Sequence, residues 1–87
     1  MVESRVVALS GELDMYNVEY VRSALAHLDG PAVIDLSRVR FISAAALSEL
    51  VRAARRAGFG NLTLTGANRN TRRVLMIVKF DRIFRIR

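Results

Sequence analysis

Residues 31–57 read PAVIDLSRVRFISAAALSELVRAARRA, and this stretch decides the fold. Its first part, residues 33–36 (VIDL), is a short apolar run typical of a buried strand, which Ser37 closes. From about residue 44 to residue 57, apolar residues recur instead at helical spacing, and Gly58 ends the segment. A strand followed directly by a helix is the repeating unit of α/β proteins.

The same alternation continues on both sides of this stretch. The further predicted elements are strands at 6–9, 62–65 and 83–86, and helices at 18–28 and from Asn68 or Asn70 to Val78. The order β-α-β-α-β-α-β predicts a single α/β domain over residues 1–87, with a mostly parallel four-stranded sheet. Because Thr63 and Thr65 alternate with leucines, we expect one sheet face to be less covered and the helices to pack mainly on the other face.

The helix predicted at residues 44–57 has an apolar stripe and a charged side. We assign to the core its apolar residues Leu47, Leu50, Val51 and Ala54. We expect solvent to surround its charged residues Glu49, Arg52, Arg55 and Arg56.

Composition excludes several kinds of function. The chain has no cysteine and a single histidine, His27, which removes disulfides, thiolate chemistry and multi-histidine metal sites. No nucleophile–base pair, metal-ligand spacing or supported carboxylate pair emerges, so we expect neither an enzyme nor a bound cofactor. No apolar run approaches the roughly 20 residues of a membrane span, and no secretory signal is recognisable, so we expect a cytoplasmic protein.

The net charge is positive and comes almost entirely from arginine. Fourteen basic residues stand against eight acidic ones, giving a formal charge of +6. We interpret the arginines mainly as solvated helix faces, because no aromatic residues are interleaved with them and no glycine-rich phosphate loop occurs. Direct nucleic-acid binding is therefore not expected.

Three stretches in fixed order resemble the STAS domain of bacterial anti-sigma-factor antagonists. They are residues 10–14 (SGELD), residues 33–42 (VIDLSRVRFI), and residues 71–75 (TRRVL) followed by 80–84 (FDRIF). The family usually carries the phosphorylation motif F-x-D-S-S-G-L, whereas residues 41–47 here read FISAAAL. The resemblance places Ala44 at the phosphoacceptor position, where no oxygen is available for phosphorylation.

The two serines near this motif have alternative interpretations. Ser43 is either the N-cap of the following helix or a displaced phosphosite, and we favour the cap because a capping hydroxyl is already engaged. Ser48 is a weaker phosphosite candidate. Asp14 is a candidate N-cap of the first helix and, by the resemblance, also lies beside the motif on the partner-binding face. Asp35 is expected to end its strand in a turn with Ser37.

The resemblance implies a protein-binding module that regulates transcription in a stress response. It would bind a kinase-type anti-sigma factor and release the sigma factor, without a phosphorylation switch at the usual position. The implied partner-binding residues are Asp14, Ser43, Ala44, Ala45, Ala46, Leu47 and Ser48. The docking face would comprise residues 43–50, the turn at residues 11–16 and exposed arginines of the second helix. These arginines, Arg52, Arg55 and Arg56, would steer association with an acidic partner surface.

The alternative function is that of a STAS accessory subunit of an ABC-type lipid transporter, or of a stress-signalling scaffold. The family usually has another strand before residues 6–9 and often a closing helix after the last strand. Only a few residues precede residue 6 here, so we expect the leading strand to be missing and the sheet edge to be open. Since an open edge strand invites pairing with another chain, we expect some homodimer formation.

Overall fold

Each strand of the sheet pairs in parallel with the next strand along the chain. The computed structural model describes residues 5–87, whose elements are β1 (Arg5–Leu13), α1 (Val18–Leu25), β2 (Ala32–Ile42), α2 (Ala44–Ala57), β3 (Leu62–Thr65), α3 (Arg69–Ile77) and β4 (Arg85–Ile86). Short 3₁₀ helices at Met15–Asn17 and Phe80–Arg82 precede α1 and β4. The strand order is β1-β2-β3-β4 and its three pairings are parallel, which confirms the predicted α/β architecture.

Sequential parallel pairing leaves the connecting helices on one face of the sheet. A right-handed crossover puts each helix on the same side, and a strand order without reversal keeps that side constant. Along β2 the inward residues Ala32, Ile34 and Leu36 are buried, whereas Val33 and Asp35 on the opposite face are only partly covered. The opposite face is called the helix-free face below.

A single hydrophobic core fills the space between the sheet and the helices. From the strands and α1 it takes large aliphatic side chains, such as Leu9, Ile34 and Leu64. From α2 it takes Leu50 and several alanines, whose small side chains let the helix approach the sheet closely. The predicted stripe is confirmed for Leu50 and Ala54, which are buried, while Leu47 and Val51 are partly buried. The stripe also includes three alanines that the periodicity alone did not assign: Ala46, Ala53 and Ala57.

Strand β2 is longer than predicted, because Ser37 does not end it. The strand continues to Ile42 and pairs there with the second half of β1. Two register shifts in this ladder let unequal lengths of strand stay paired, and Gly11 beside one of them has φ +87°. Val39 and Ile42 are buried in this extension, so apolar burial favours the continued strand.

Other element ends also differ from the prediction. β1 extends to Leu13 rather than stopping near Gly11, and α1 ends at Leu25 rather than at residue 28. β4 begins only at Arg85, because the backbone N–H of Phe84 still donates to the carbonyl of Phe80 at 2.8 Å.

One prediction of exposure is wrong. Glu49 is only 6 % exposed, because it faces α1 and accepts a hydrogen bond from Arg22 Nε at 2.7 Å. The prediction of a less covered sheet face is confirmed, and on that face Thr63 is 8 % exposed because it lies between Val33 and Arg85 in the strand register.

A close approach next to β3 requires glycine at position 66. Gly66 has φ +76°, and a Cβ atom there would lie 2.9 Å from Ser37 Cβ and 3.1 Å from Asp35 Oδ1. Both the backbone conformation and the lack of space therefore exclude a side chain.

Several absences can be stated for residues 5–87. No helix in this range has the length and apolar character that a membrane crossing requires. The same range contains no group of three or more side chains suited to hold a metal ion. Among these residues β1 pairs only with β2, so its outer edge forms no strand pairing. Residues 1–4, which the predicted domain also includes, lie outside the described part.

Candidate docking surface

The loops after β1 and β2 lie side by side at the carboxyl ends of the strands. Leu13 and Ile42 are register partners, and the N–H of Ser43 donates to the carbonyl of Leu13 at 2.8 Å. Because neighbouring parallel strands end at the same edge of a sheet, Asp14 and Ser43 become neighbours. We call the exposed and partly exposed residues at this edge the carboxyl-end rim. They are Asp14, Met15 and Tyr16 after β1, Phe41 near the end of β2, and Ser43, Ala44, Ala45, Leu47 and Ser48 at the start of α2.

The first loop of this rim is fixed by polar contacts to its own backbone. Asp14 Oδ1 accepts from the N–H of Tyr16 at 2.9 Å, and the side-chain amide of Asn17 donates to the carbonyl of Glu12 at 2.6 Å. Asp14 therefore caps the short 3₁₀ helix in front of α1 rather than α1 itself, where Asn17 is the first flanking residue. The loop is a preformed turn.

The second loop begins α2 with a serine cap. Ser43 has extended backbone geometry, and its hydroxyl accepts from the N–H of Ala46 at 3.2 Å. This confirms the predicted capping role, in which the hydroxyl satisfies one of the unpaired N–H groups of the first turn. Its own carbonyl accepts from the N–H of Leu47 at 2.9 Å.

The candidate partner-binding residues differ in accessibility. Ala44 and Ser48 are exposed, and Asp14, Ser43, Ala45 and Leu47 are partly exposed. Ala46 is 0 % exposed, so its methyl group faces the core and is not accessible to a partner. The hydroxyl of Ser48 donates to the carbonyl of Ala44 at 3.1 Å, within the same helix.

The rim carries exposed apolar side chains that the sequence did not single out, although two of them lie in the turn at residues 11–16 that was expected in the docking face. Tyr16 is 87 % exposed, and Met15 and Phe41 are also exposed. Their periodicity gave no signal, because Met15 and Tyr16 belong to a single 3₁₀ turn and β2 was predicted to end before Phe41. Together with the methyl groups of Ala44 and Ala45, they make this end of the molecule a mixed apolar surface.

The arginines of α2 divide into structural and exposed groups. Arg56 donates from Nε to the carbonyl of Leu28 at 3.1 Å and from its terminal nitrogen to the carbonyl of Leu25, so it binds the last residue of α1 and the segment that follows it. Arg52 is largely exposed, and its Nε lies 3.9 Å from a carboxylate oxygen of Glu49. Arg55 is exposed. Only Arg52 and Arg55 therefore remain suited to long-range attraction of a partner.

Asp35 lies away from the rim, on the helix-free face. Its carboxylate accepts from the N–H of Ser37 at 2.9 Å, and hydrogen bonds from the Ser37 backbone and hydroxyl lower the pKa of Asp35. The predicted contact with Ser37 is confirmed, although it forms inside β2 rather than at the end of a strand. Asp14 and Asp35 do not form a carboxylate pair, because Asp35 is paired with Ala8 near the start of β1, whereas Asp14 follows its end.

Comparison with known proteins places these features in a family. A family model described as "Mlab, STAS domain" matches residues 2–86. A search of curated proteins found no match. The order of the strands, the glycine-containing end of β1 and the loop that opens α2 all fall within the matched range. The chain is a member of the Mlab STAS-domain family.

Proposed function

We propose that this protein is an anti-sigma-factor antagonist that acts in the cytoplasm. It docks through the carboxyl-end rim on a kinase-type anti-sigma factor and so releases the sigma factor for transcription. The main support for the proposal comes from the residues at the beginning of α2. There, the exposed Ala44 stands at the position that the STAS resemblance assigns to the phosphoacceptor, next to a Ser43 hydroxyl already used as a cap.

The rim is suited to recognition by shape. Its two loops are held by hydrogen bonds within the protein, so little conformational entropy is lost when a partner binds. Tyr16 and Phe41 offer exposed aromatic area, and aromatic side chains frequently dominate interface energetics. Without a phosphate, the surface has no charge switch at this loop.

Electrostatics favour an acidic partner. Arg52 and Arg55 are exposed on the later turns of α2. Within residues 5–87 Arg52 makes only a long contact of 3.9 Å with Glu49, and Arg55 makes no ion pair, so both charges remain available. Charges near, but not inside, an interface raise the association rate at low salt more than they raise affinity. An acidic surface around the anti-sigma factor's docking site would complement them.

Calorimetric measurement of binding to a kinase-type anti-sigma factor from the same organism tests the proposal. We expect Ala44→Glu, which adds bulk and charge to the rim, to weaken binding at least about tenfold. The matched control is Ala26→Glu, an exposed alanine at the other end of α1, which should leave affinity within about twofold. Equal losses in the two variants, or no binding by the wild type, would contradict the proposal.

A phosphorylation experiment tests the interpretation of the loop. When the purified protein is incubated with the kinase and labelled ATP, the wild type should remain unlabelled, whereas Ala44→Ser should take up label. Stoichiometric label on Ser43 of the wild type would show that the phosphosite has been displaced rather than lost.

A second candidate function is that of a STAS accessory subunit of an ABC-type lipid transporter or of a stress-signalling scaffold. It is favoured by the family description, which names Mlab rather than a sigma-factor regulator. The same rim would then bind a transporter ATPase or a scaffold subunit. Co-purification separates the candidates: recovery of the ATPase without the anti-sigma factor, again sensitive to Ala44→Glu, supports the second one.

A further inference from the structure

The helix-free face of the sheet contains a cavity away from the carboxyl-end rim. Its volume is about 310 Å³, close to the lower end of the range for small-molecule sites. Val33, Thr63 and Arg85 are register partners on β2, β3 and β4, and all three line it. The cavity therefore lies across three strands, on the side that the helices leave open.

Two arginines give this cavity a positive charge. Arg85 and Arg87 are separated by one residue along an extended segment, since the N–H of Arg87 continues the pairing by donating to the carbonyl of Leu64 at 2.9 Å. Residues at this spacing project from the same face of a sheet, and both arginines line the cavity. Neither forms an ion pair within residues 5–87, and no acidic residue lines the cavity.

A threonine hydroxyl opens into the same cavity. Thr63 is 8 % exposed, and its hydroxyl makes no hydrogen bond to residues 5–87. Within that range every side-chain polar atom sealed from solvent has a partner, so an unpaired hydroxyl at this position is accessible to solvent, and Thr63 lines the cavity. It is a donor that a bound ligand would satisfy.

We propose that this cavity binds a phosphate group, either as the free ion or as the monoester of a small molecule. Two guanidinium groups match the double negative charge of phosphate, and their planar N–H groups suit its oxygens. The Thr63 hydroxyl supplies a further donor, and Pro31 and Val33 provide an apolar wall for the uncharged part of an ester. This site is independent of the proposed docking function.

A titration followed by ¹H–¹⁵N NMR at constant ionic strength tests the site, with inorganic phosphate as the probe. We expect saturable shifts at the amides of Thr63, Arg85 and Arg87. Shifts that rise linearly and spread over the arginines of α2 and α3 would show general attraction to a basic protein and would overturn the proposal.

Variants distinguish phosphate binding in the cavity from general attraction to the positive net charge. Arg85→Gln/Arg87→Gln should weaken phosphate binding at least about tenfold, because charge-assisted hydrogen bonds are lost. The matched control, Arg72→Gln/Arg73→Gln, removes the same charge from exposed positions of α3 and should change affinity less than about twofold. Equal losses in both double variants would contradict the site. Circular dichroism melts verify that each variant is folded.

A conservative change tests the hydroxyl. Thr63→Val keeps the shape and suits a strand, so the fold should persist, and phosphate binding should weaken by about threefold or more. Unchanged affinity would remove Thr63 from the site and contradict the geometry proposed here.

The nature of the ligand is tested with phenyl phosphate and acetate. Tighter binding of phenyl phosphate than of inorganic phosphate supports a phosphate monoester, and equal binding supports the free ion. Acetate binding as tight as phosphate would overturn the selectivity for a doubly charged group.

Discussion

Arg22 Nε of α1 donates a 2.7 Å hydrogen bond to Oε1 of Glu49 in α2, and the carboxylate that accepts it is almost fully buried. Arg22 also contacts Glu19 one turn earlier on α1. The hydrogen bond to Glu49, followed by the nearby negative charges, raises the pKa of Arg22. Arg56 of α2 in turn donates to the carbonyl of Leu25 at the end of α1 and to that of Leu28 just beyond it, so polar contacts in both directions join the two helices.

The two partners of this ion pair should respond differently to substitution. Arg22→Ala leaves the Glu49 carboxylate buried with only the distant Arg52, which is unfavourable. Glu49→Gln keeps an acceptor for Arg22, whose half-exposed side chain stays hydrated, so its cost should be below about 1 kcal/mol. Urea unfolding should rank Arg22→Ala as the less stable variant. The reverse order would contradict the buried-charge argument.

The Asp35–Ser37 contact should make stability depend on acid. Because hydrogen bonds lower the pKa of folded Asp35 below its ordinary value of 3.8, the stabilisation is complete above that value. It is lost as the pH falls through the lower pKa of the folded state. The difference in Tm between the wild type and Asp35→Asn should therefore be largest above about pH 4 and should shrink in stronger acid.

Asp81→Asn, an exposed aspartate outside this contact, is the control for that measurement. A similar loss of pH dependence in both variants would rule out a specific role for Asp35.

Two glycines with positive φ should differ in their tolerance of alanine. At Gly66 the added Cβ meets Ser37 at 2.9 Å, so strain and steric overlap combine and the cost should be about 2–4 kcal/mol. At Gly11 nothing lies within 4 Å, so only the φ of +87° opposes alanine, at about 1 kcal/mol. Urea midpoints measure both. Equal destabilisation would mean that the close approach at Gly66 relaxes freely.

The cap of α2 should contribute measurably to stability. Ser43→Ala removes the acceptor for the N–H of Ala46 and should cost about 1 kcal/mol, whereas Ser43→Asp should retain most of the stability. Ser48→Ala, which removes an exposed hydroxyl from the same helix, should change the free energy of unfolding by less than about 0.5 kcal/mol. Thermal melts of the three variants provide the comparison, and a Ser43→Ala protein as stable as the wild type would contradict the cap.

The outer edge of β1 predicts self-association. Within residues 5–87 this edge makes no strand pairing, and such an edge favours pairing with a second copy, so sedimentation should show a dimer fraction that grows with concentration. A pure monomer at the highest accessible concentration would contradict this expectation.

Most of the fold was predictable because local signals and global topology agree. The helical spacing that begins near residue 44 predicted the start of α2, and the structure confirms it. The length of β2 was not predictable, because its continuation beyond Ser37 depends on register shifts in a ladder with β1. Glu49 was misplaced for a similar reason, since its burial depends on Arg22, a residue far away in the sequence.

The candidate site shows the same division. The neighbouring positions of Asp14 and Ser43 followed from the rule that parallel strands end together, and the Ser43 cap followed from local chemistry. The burial of Ala46 and the exposure of Tyr16 depend on how α2 and the first loop turn against the sheet. Alanine and tyrosine occur in both environments, so residue type alone does not separate them.

The unreversed strand order also has a consequence for biosynthesis. Because every strand pairs with its predecessor, β1, α1 and β2 already form a complete unit once residue 42 has left the ribosome. Later units add one at a time to an edge that already exists. Folding can therefore begin before the carboxyl terminus is synthesised. This shortens the time during which apolar strands of the nascent chain are exposed and able to aggregate.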